Sequence, residues 1–198
     1  MNWAIFAIFA YLAIVIDRGL TVLFPDTAAA PSMTLVLMVY LAMSAPPWKV
    51  MWSALALGLL VDLSRKITLV DGPAAAVLIG PNALGYVIGA YLVLQVRAML
   101  FRHSLLSLLA LVVAGGMLAQ LVTVFLLSVR GLSIVPGEAV AQWSAIGEVG
   151  TRFVQVIYSA VLALPAGWLL MRIEPLWQFA GGKTGGLPQS QRRAPSRR

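Results

Sequence analysis

From Ser104 to Val129 the chain runs without a single charged residue. That run exceeds the ~20 apolar residues a helix needs to cross the hydrocarbon core of a bilayer. A helix apolar on every side must lie in lipid or be wrapped by equally apolar neighbours. The chain supplies such neighbours. Six apolar segments follow one another, at 3–24, 33–45, 48–63, 73–96, 104–129 and 150–173. The bulk composition agrees: 61% of the 198 residues are apolar and 11% are charged, with mean hydropathy +0.92. Soluble domains run at about 45–50% apolar and ~25% charged. The expected fold is therefore an all-α integral membrane protein, a bundle of about six transmembrane helices.

Proline sets several boundaries. Pro25-Asp26 ends the first segment, and Pro46-Pro47 separates the second from the third. Proline removes a backbone donor and clashes with the preceding turn. The second and third segments are thus two short helices or one long helix kinked at the proline pair. Gly80-Pro81-Asn82 interrupts the fourth segment, and Pro165 lies inside the sixth. No Lys or Arg precedes the first apolar run, so that run reads as a retained helix rather than a cleaved signal. Val140, Trp143 and Ile146 recur at helical spacing in the loop 130–148 and fit a short interfacial helix or an ordinary loop.

Net charge is +7, and Lys183, Arg192, Arg193, Arg197 and Arg198 concentrate it at the end of the chain. The expected organisation is a membrane domain over 1–176 and a disordered, basic, cytoplasmic tail over 177–198. Such a tail suits anionic lipid rather than nucleic acid, since no aromatic residues interleave its cations. With six spans and the tail inside, both termini are cytoplasmic. Lys49, Arg97, Arg102, Arg172 and the tail cations then lie inside, against Arg65, Lys66, Arg130 and Arg152 outside, as positive-inside bias requires.

Chemistry-bearing patterns are sparse. Cysteine is absent and His103 is the only histidine, which leaves no multi-His or Cys-based metal site. There is no HExxH, GxSxG or Walker A pattern. Neither an enzyme nor a cofactor is expected. Two small-residue pairs at helical spacing, Ala54/Gly58 and Gly85/Gly89, let helix backbones approach closely. They serve packing within this chain or docking of a partner's helix. Asp17, Asp62, Gln120 and Arg152 are the candidates for buried polar or pocket positions, because burying such groups in a membrane is costly without partners. Asp62 fits either a buried functional carboxylate or an interfacial residue beside Arg65 and Lys66. Asp17, if turned inward, needs a partner, and Arg152 enters the last helix from the same side. Gln95, Gln142 and Gln155 are further uncharged polar groups expected to face other helices.

The run Gly58-Leu59-Leu60-Val61-Asp62 resembles a pattern of the MreD family, small membrane subunits of the bacterial rod-shape machinery. Asp71-Gly72, then Tyr91-Leu92-Val93-Leu94-Gln95-Val96-Arg97 with Arg102 beyond, continue the likeness. Leu164-Pro165-Ala166-Gly167-Trp168-Leu169-Leu170-Met171-Arg172 matches a proline-containing last helix with a basic end. Arg65-Lys66 departs from the family's small residues, and Gly80-Pro81-Asn82 looks like an addition. The resemblance implies a non-enzymatic scaffold in the cytoplasmic (inner) membrane. Its partner would be an MreC-like protein with one membrane helix, and the small-residue faces at Ala54, Gly58, Gly85 and Gly89 are the first candidates for that contact. Through it, directly or indirectly, would come the elongation complex's actin-like filament, polymerase and transpeptidase, and so peptidoglycan synthesis and cell shape.

The resemblance also implies a fold similar to substrate-binding subunits of energy-coupling-factor transporters. A rival expectation follows, a vitamin-binding subunit with an outward pocket at Asp17, Asp62, Asp71 or Arg152. A third is a scaffold that binds the phosphate of a cell-wall precursor through Arg65, Lys66 or Arg152.

Overall fold

The computed structural model describes residues 2–23, 29–64, 67–68, 75–76, 79–97, 105–134, 145–173 and 177. They form six helices: α1 (Trp3–Leu23), α2 (Met33–Ser44), α3 (Pro47–Ser64), α4 (Pro81–Val96), α5 (Leu105–Ile134) and α6 (Ala145–Arg172). Between α3 and α4, β1 (Ile67–Thr68) pairs antiparallel with β2 (Ala75–Ala76), with Ile67 opposite Ala76. The all-α expectation holds, with this two-residue ladder as an ornament.

The proline pair divides α2 from α3 into separate helices. The Ala45 N–H still reaches Leu41 O at 2.8 Å. Pro46 and Pro47 carry no N–H with which to continue α2. Pro47 instead opens α3, where a first-turn proline loses nothing, and Pro46 O accepts from the N–H groups of Lys49 and Val50. The fourth segment is corrected more strongly. Gly80-Pro81-Asn82 is the start of α4 and not a break within it. Gly80 holds φ at +123°, a conformation glycine adopts without a Cβ penalty, and Pro81 follows as the first helical residue. The helix therefore begins eight residues after Pro73. α5 extends past Val129 to Ile134, and α6 starts at Ala145, before Gly150. Ile146 and Glu148 thus belong to α6, and the rest of the supposed interfacial helix, including Trp143, lies outside the described residues.

The centre of the bundle is α2. Every residue from Thr34 to Ala42 is buried, and α2 touches each of the other five helices. Apolar side chains all round it explain this position. Its 12 residues cover only about 18 Å, short of the ~30 Å hydrocarbon thickness. The outer helices reverse the pattern. α1 buries only Phe6, Ala10 and Ala13, one stripe at helical spacing, while Ile8, Tyr11, Val15 and Val22 face outward. α6 likewise presents Phe153, Ile157, Val161 and Leu164 outward. An exterior this apolar matches lipid, not water. Among the described residues, three helices are long and apolar enough to cross a membrane, α1, α5 over Leu105–Val129 and α6 over Val149–Arg172.

Small residues set the spacing of α3, α4 and α5. A Cβ on Gly58 would collide with Ala83 Cα and lie 2.7 Å from Asn82 O. One on Gly89 would lie 2.7 Å from Gly115 O, and one on Gly85 would meet Thr123 Oγ1 and Ala119 O. The backbones of α3 and α4, and of α4 and α5, touch through these absent side chains, as in membrane helix pairs generally.

Candidate functional site

In a membrane the free N–H and C=O groups at buried helix ends find no water and must be satisfied by protein. The chain answers this with charged side chains brought from neighbouring helices. Asp17, on the last turns of α1, caps α2. Its carboxylate accepts from the Met33 N–H, from the Thr34 N–H (3.2 Å) and hydroxyl, and from the Ser32 hydroxyl (3.2 Å). Ser32 is itself the N-cap, its Oγ accepting from the Leu35 N–H. At the other end of α2, the Arg97 guanidinium donates to Ala42 O at 2.8 Å and Ala45 O at 2.7 Å. An anion at the N-terminus and a cation at the C-terminus both complement the helix dipole.

The same device recurs on the next helix pair. Asp62, buried at the end of α3, caps α4. Its Oδ2 accepts from the Gly80 N–H (2.8 Å) and the Ala83 N–H (3.2 Å). Its Oδ1 accepts from the Asn82 N–H (3.2 Å) and amide (2.8 Å). One carboxylate thus takes four donors. The Thr123 hydroxyl of α5 adds a bond to Pro81 O at 3.3 Å.

A third polar contact ties α5 to α6. Arg152 and Gln120 are both buried, and Arg152 Nη1 donates to Gln120 Oε1 at 2.7 Å. Arg152, Gln155 and Ser159 share one face of α6 by their spacing, and all three are buried. The Ser159 hydroxyl accepts the Ser32 N–H at 2.8 Å and donates to Gln155 O at 2.8 Å, which joins α6 to the N-terminus of α2. A recess of about 10 Å³ opens beside Arg152 and Gln120, walled by Met117, Leu121, Val124, Val149 and Phe153. That is room for one water, against about 300–1,000 Å³ for small-molecule pockets.

The candidate positions therefore divide clearly. Asp17, Asp62, Gln120 and Arg152 are each engaged with polar partners inside the bundle. Asp17 and Arg152, considered as a pair, have separate described partners, the N-terminus of α2 and Gln120. Ala54, Gly58, Gly85 and Gly89 are all buried, and the three glycines sit against this chain's own helices. Gln155 is buried, whereas Gln95 is exposed because it lies on the outer side of the last turn of α4. Asp71, Arg65, Lys66 and Gln142 lie outside the described residues. Sequence reasoning missed Ser32, Thr34, Asn82, Arg97 and Ser159 as parts of the polar framework. Ser32 ahead of an apolar run was a readable N-cap signal. Nothing local marked Arg97 or Ser159, whose partners lie far away in the chain.

The run from Gly58 to Asp62 now has a physical reason. Four residues apart, the two positions share one face of α3. Gly58 admits the α4 backbone, and Asp62, one turn on, caps that helix. The family model of the rod shape-determining protein MreD matches residues 1–173. The chain belongs to the MreD family. Its part in rod-shape determination, and its standing as a membrane protein, follow from that membership together with the apolar helices. Comparisons with curated proteins and with solved structures find no match. The arrangement of this MreD-family chain holds helices in register. Asp17 and Asp62 are both engaged at the starts of helices within the bundle.

Proposed function

We propose that this protein is a non-enzymatic scaffold of the cell-elongation complex in the bacterial inner membrane. It binds the membrane helix of an MreC-like partner and so supports peptidoglycan synthesis and cell shape. Both termini face the cytoplasm. The observation that carries this reading is the family match across residues 1–173. The structure is in keeping with it. Its buried charged and polar groups cap helices and bridge them, which suits a rigid platform.

The small residues Ala54, Gly58, Gly85 and Gly89 serve the partner through that platform. They hold α3, α4 and α5 together, and the partner's helix meets an outward, lipid-level face. The energy-coupling-factor reading gains no comparable support, since Asp17 and Asp62 are engaged as caps and the recess at Arg152 has room for one water.

The test is a mild-detergent pull-down from native membranes with mass spectrometry. A single-span protein with a periplasmic coiled coil, arriving with elongation enzymes, is the expected result. Recovery of paired ATPases with a membrane coupling subunit would overturn the reading. Single-cysteine cross-linking then locates the face, because the chain has no native cysteine. Outward positions such as Val15 and Val161 are the ones to scan.

A further inference from the structure

The two ends of the bundle are chemically different. The Tyr40 hydroxyl donates to Leu170 O (3.0 Å), Arg97 bonds the last carbonyls of α2, and the Asn2 N–H reaches Trp177 O (3.3 Å). Leu105 and Leu108, at the start of α5, lie against Gly167, near the end of α6. The starts of α1, α3 and α5 and the ends of α2, α4 and α6 therefore share one end of the molecule.

Five of the six tryptophans, Trp3, Trp48, Trp52, Trp168 and Trp177, fall within about two helical turns of this end. Trp177 is buried, 4.8 Å from the Phe9 ring and near Tyr40, and it pins the chain beneath the bundle just before the basic tail. The other four are open: Trp48 is 72% exposed, Trp168 55%, Trp3 48% and Trp52 48%. They carry cations with them. The Trp48 and Trp52 rings meet edge to face at 5.7 Å with Lys49 beside them in the first turn of α3. The Arg172 guanidinium lies 5.2 Å from the centroid of the Trp168 ring.

The described carboxylates Asp17 and Asp62 avoid this end. They cap the starts of α2 and α4 at the opposite end, where Glu148 also lies in the first turn of α6. Lys49, Arg97 and Arg172 lie at the tryptophan-bearing end.

Exposed indole rings settle where hydrocarbon meets headgroup, with the ring among acyl chains and the N–H toward ester and phosphate oxygens. Lys and Arg at the same depth attract anionic phosphate. We propose that this end carries two seats for anionic phospholipid headgroups, Trp48–Lys49–Trp52 on α3 and Trp168–Arg172 on α6. At each seat the cation takes the phosphate and the indole rings take the glycerol-ester region. The inference is independent of which protein the scaffold binds. It commits to lipid because the rings lie within the first two turns of α3 and the last two of α6, helices whose exposed large side chains are apolar, and not on a surface projecting beyond them.

The tail would recruit the same lipid, so the test removes its charge first. The full chain with Lys183, Arg192, Arg193, Arg197 and Arg198 each changed to Gln is purified. It is offered equal amounts of phosphatidylglycerol and phosphatidylcholine, and the retained lipids are counted by native mass spectrometry. The expected result is a roughly fivefold preference for phosphatidylglycerol, lost when Lys49→Gln and Arg172→Gln are added. A second measurement needs no seat variant. Brominated phosphatidylglycerol should quench tryptophan fluorescence of the tail-neutral chain more than brominated phosphatidylcholine at the same mole fraction. No preference in the tail-neutral chain, equal quenching by both lipids, or a preference unchanged by the two seat substitutions would each overturn the proposal. The first two would leave this end to an acidic protein surface.

Discussion

At Asp62 four donors converge on one buried carboxylate. Removing the side chain leaves several of them without a partner, at about 1–3 kcal/mol for each group left unsatisfied. Asp62→Ala should therefore lower stability by about 2 kcal/mol or more, seen as a lower unfolding temperature in detergent. Asp62→Asn should lose less, because an amide oxygen still caps a helix well. Equal losses for the two substitutions would show that the carboxylate's oxygens are not what holds α4. Gln120 makes a similar case from the other side. Its Oε1 accepts from Arg152, so Gln120→Leu removes an acceptor from a buried guanidinium. The expected cost is about 1–3 kcal/mol, measured by the same melting experiment.

Between elements, the decisive quantity is the distance that a missing Cβ allows. Gly58 and Gly89 have the backbone of the neighbouring helix where a methyl group would stand. Alanine at either position must push α3 from α4 or α4 from α5, an overpacking cost of about 1–3 kcal/mol. Gly19 and Gly150, on α1 and α6, meet nothing within 4 Å. There alanine should stabilise by about 0.5–1 kcal/mol through helix propensity alone. Opposite signs for Gly58→Ala and Gly19→Ala in one thermal-unfolding series would bear out this reading of the small residues. Destabilisation at both would refute it. Leucine at Gly85 and Gly89 should disrupt the α4–α5 pair itself, so lost partner binding in such a variant is informative only beside a folding control.

On the scale of the whole molecule, α2 is a short core helix held at both ends by charges from other helices, Asp17 from α1 and Arg97 from α4. Arg97→Gln should loosen it, with a stability loss of up to about 2 kcal/mol, and faster amide exchange in α2 than in α5 is the measurement that shows it. Orientation is tested by cysteine accessibility in intact cells. Ala28→Cys should react with an impermeant reagent from outside, and Lys49→Cys only from inside. Labelling of both from one side would refute the arrangement with both termini cytoplasmic.

The sequence by itself determined the class of fold. Apolar runs too long for a soluble core, broken by prolines, leave only a membrane helix bundle, because backbone groups in hydrocarbon must be satisfied within helices. It also carried the short runs, Gly58 to Asp62 above all, on which the resemblance to the family was read. What Asp17, Asp62 and Arg152 do was decided only by the tertiary structure. A carboxylate at the end of an apolar run reads the same whether it lines a pocket or caps a helix, and the difference lies in donors 15 to 21 residues away. The glycine pairs are alike in this respect. Spacing shows that a helix can be approached closely, but whether the approaching backbone belongs to this chain or to another depends on how the helices pack. The start of α4 shows the same limit, since Gly80-Pro81-Asn82 breaks one helix or begins another according to what lies opposite, and here that is Asp62.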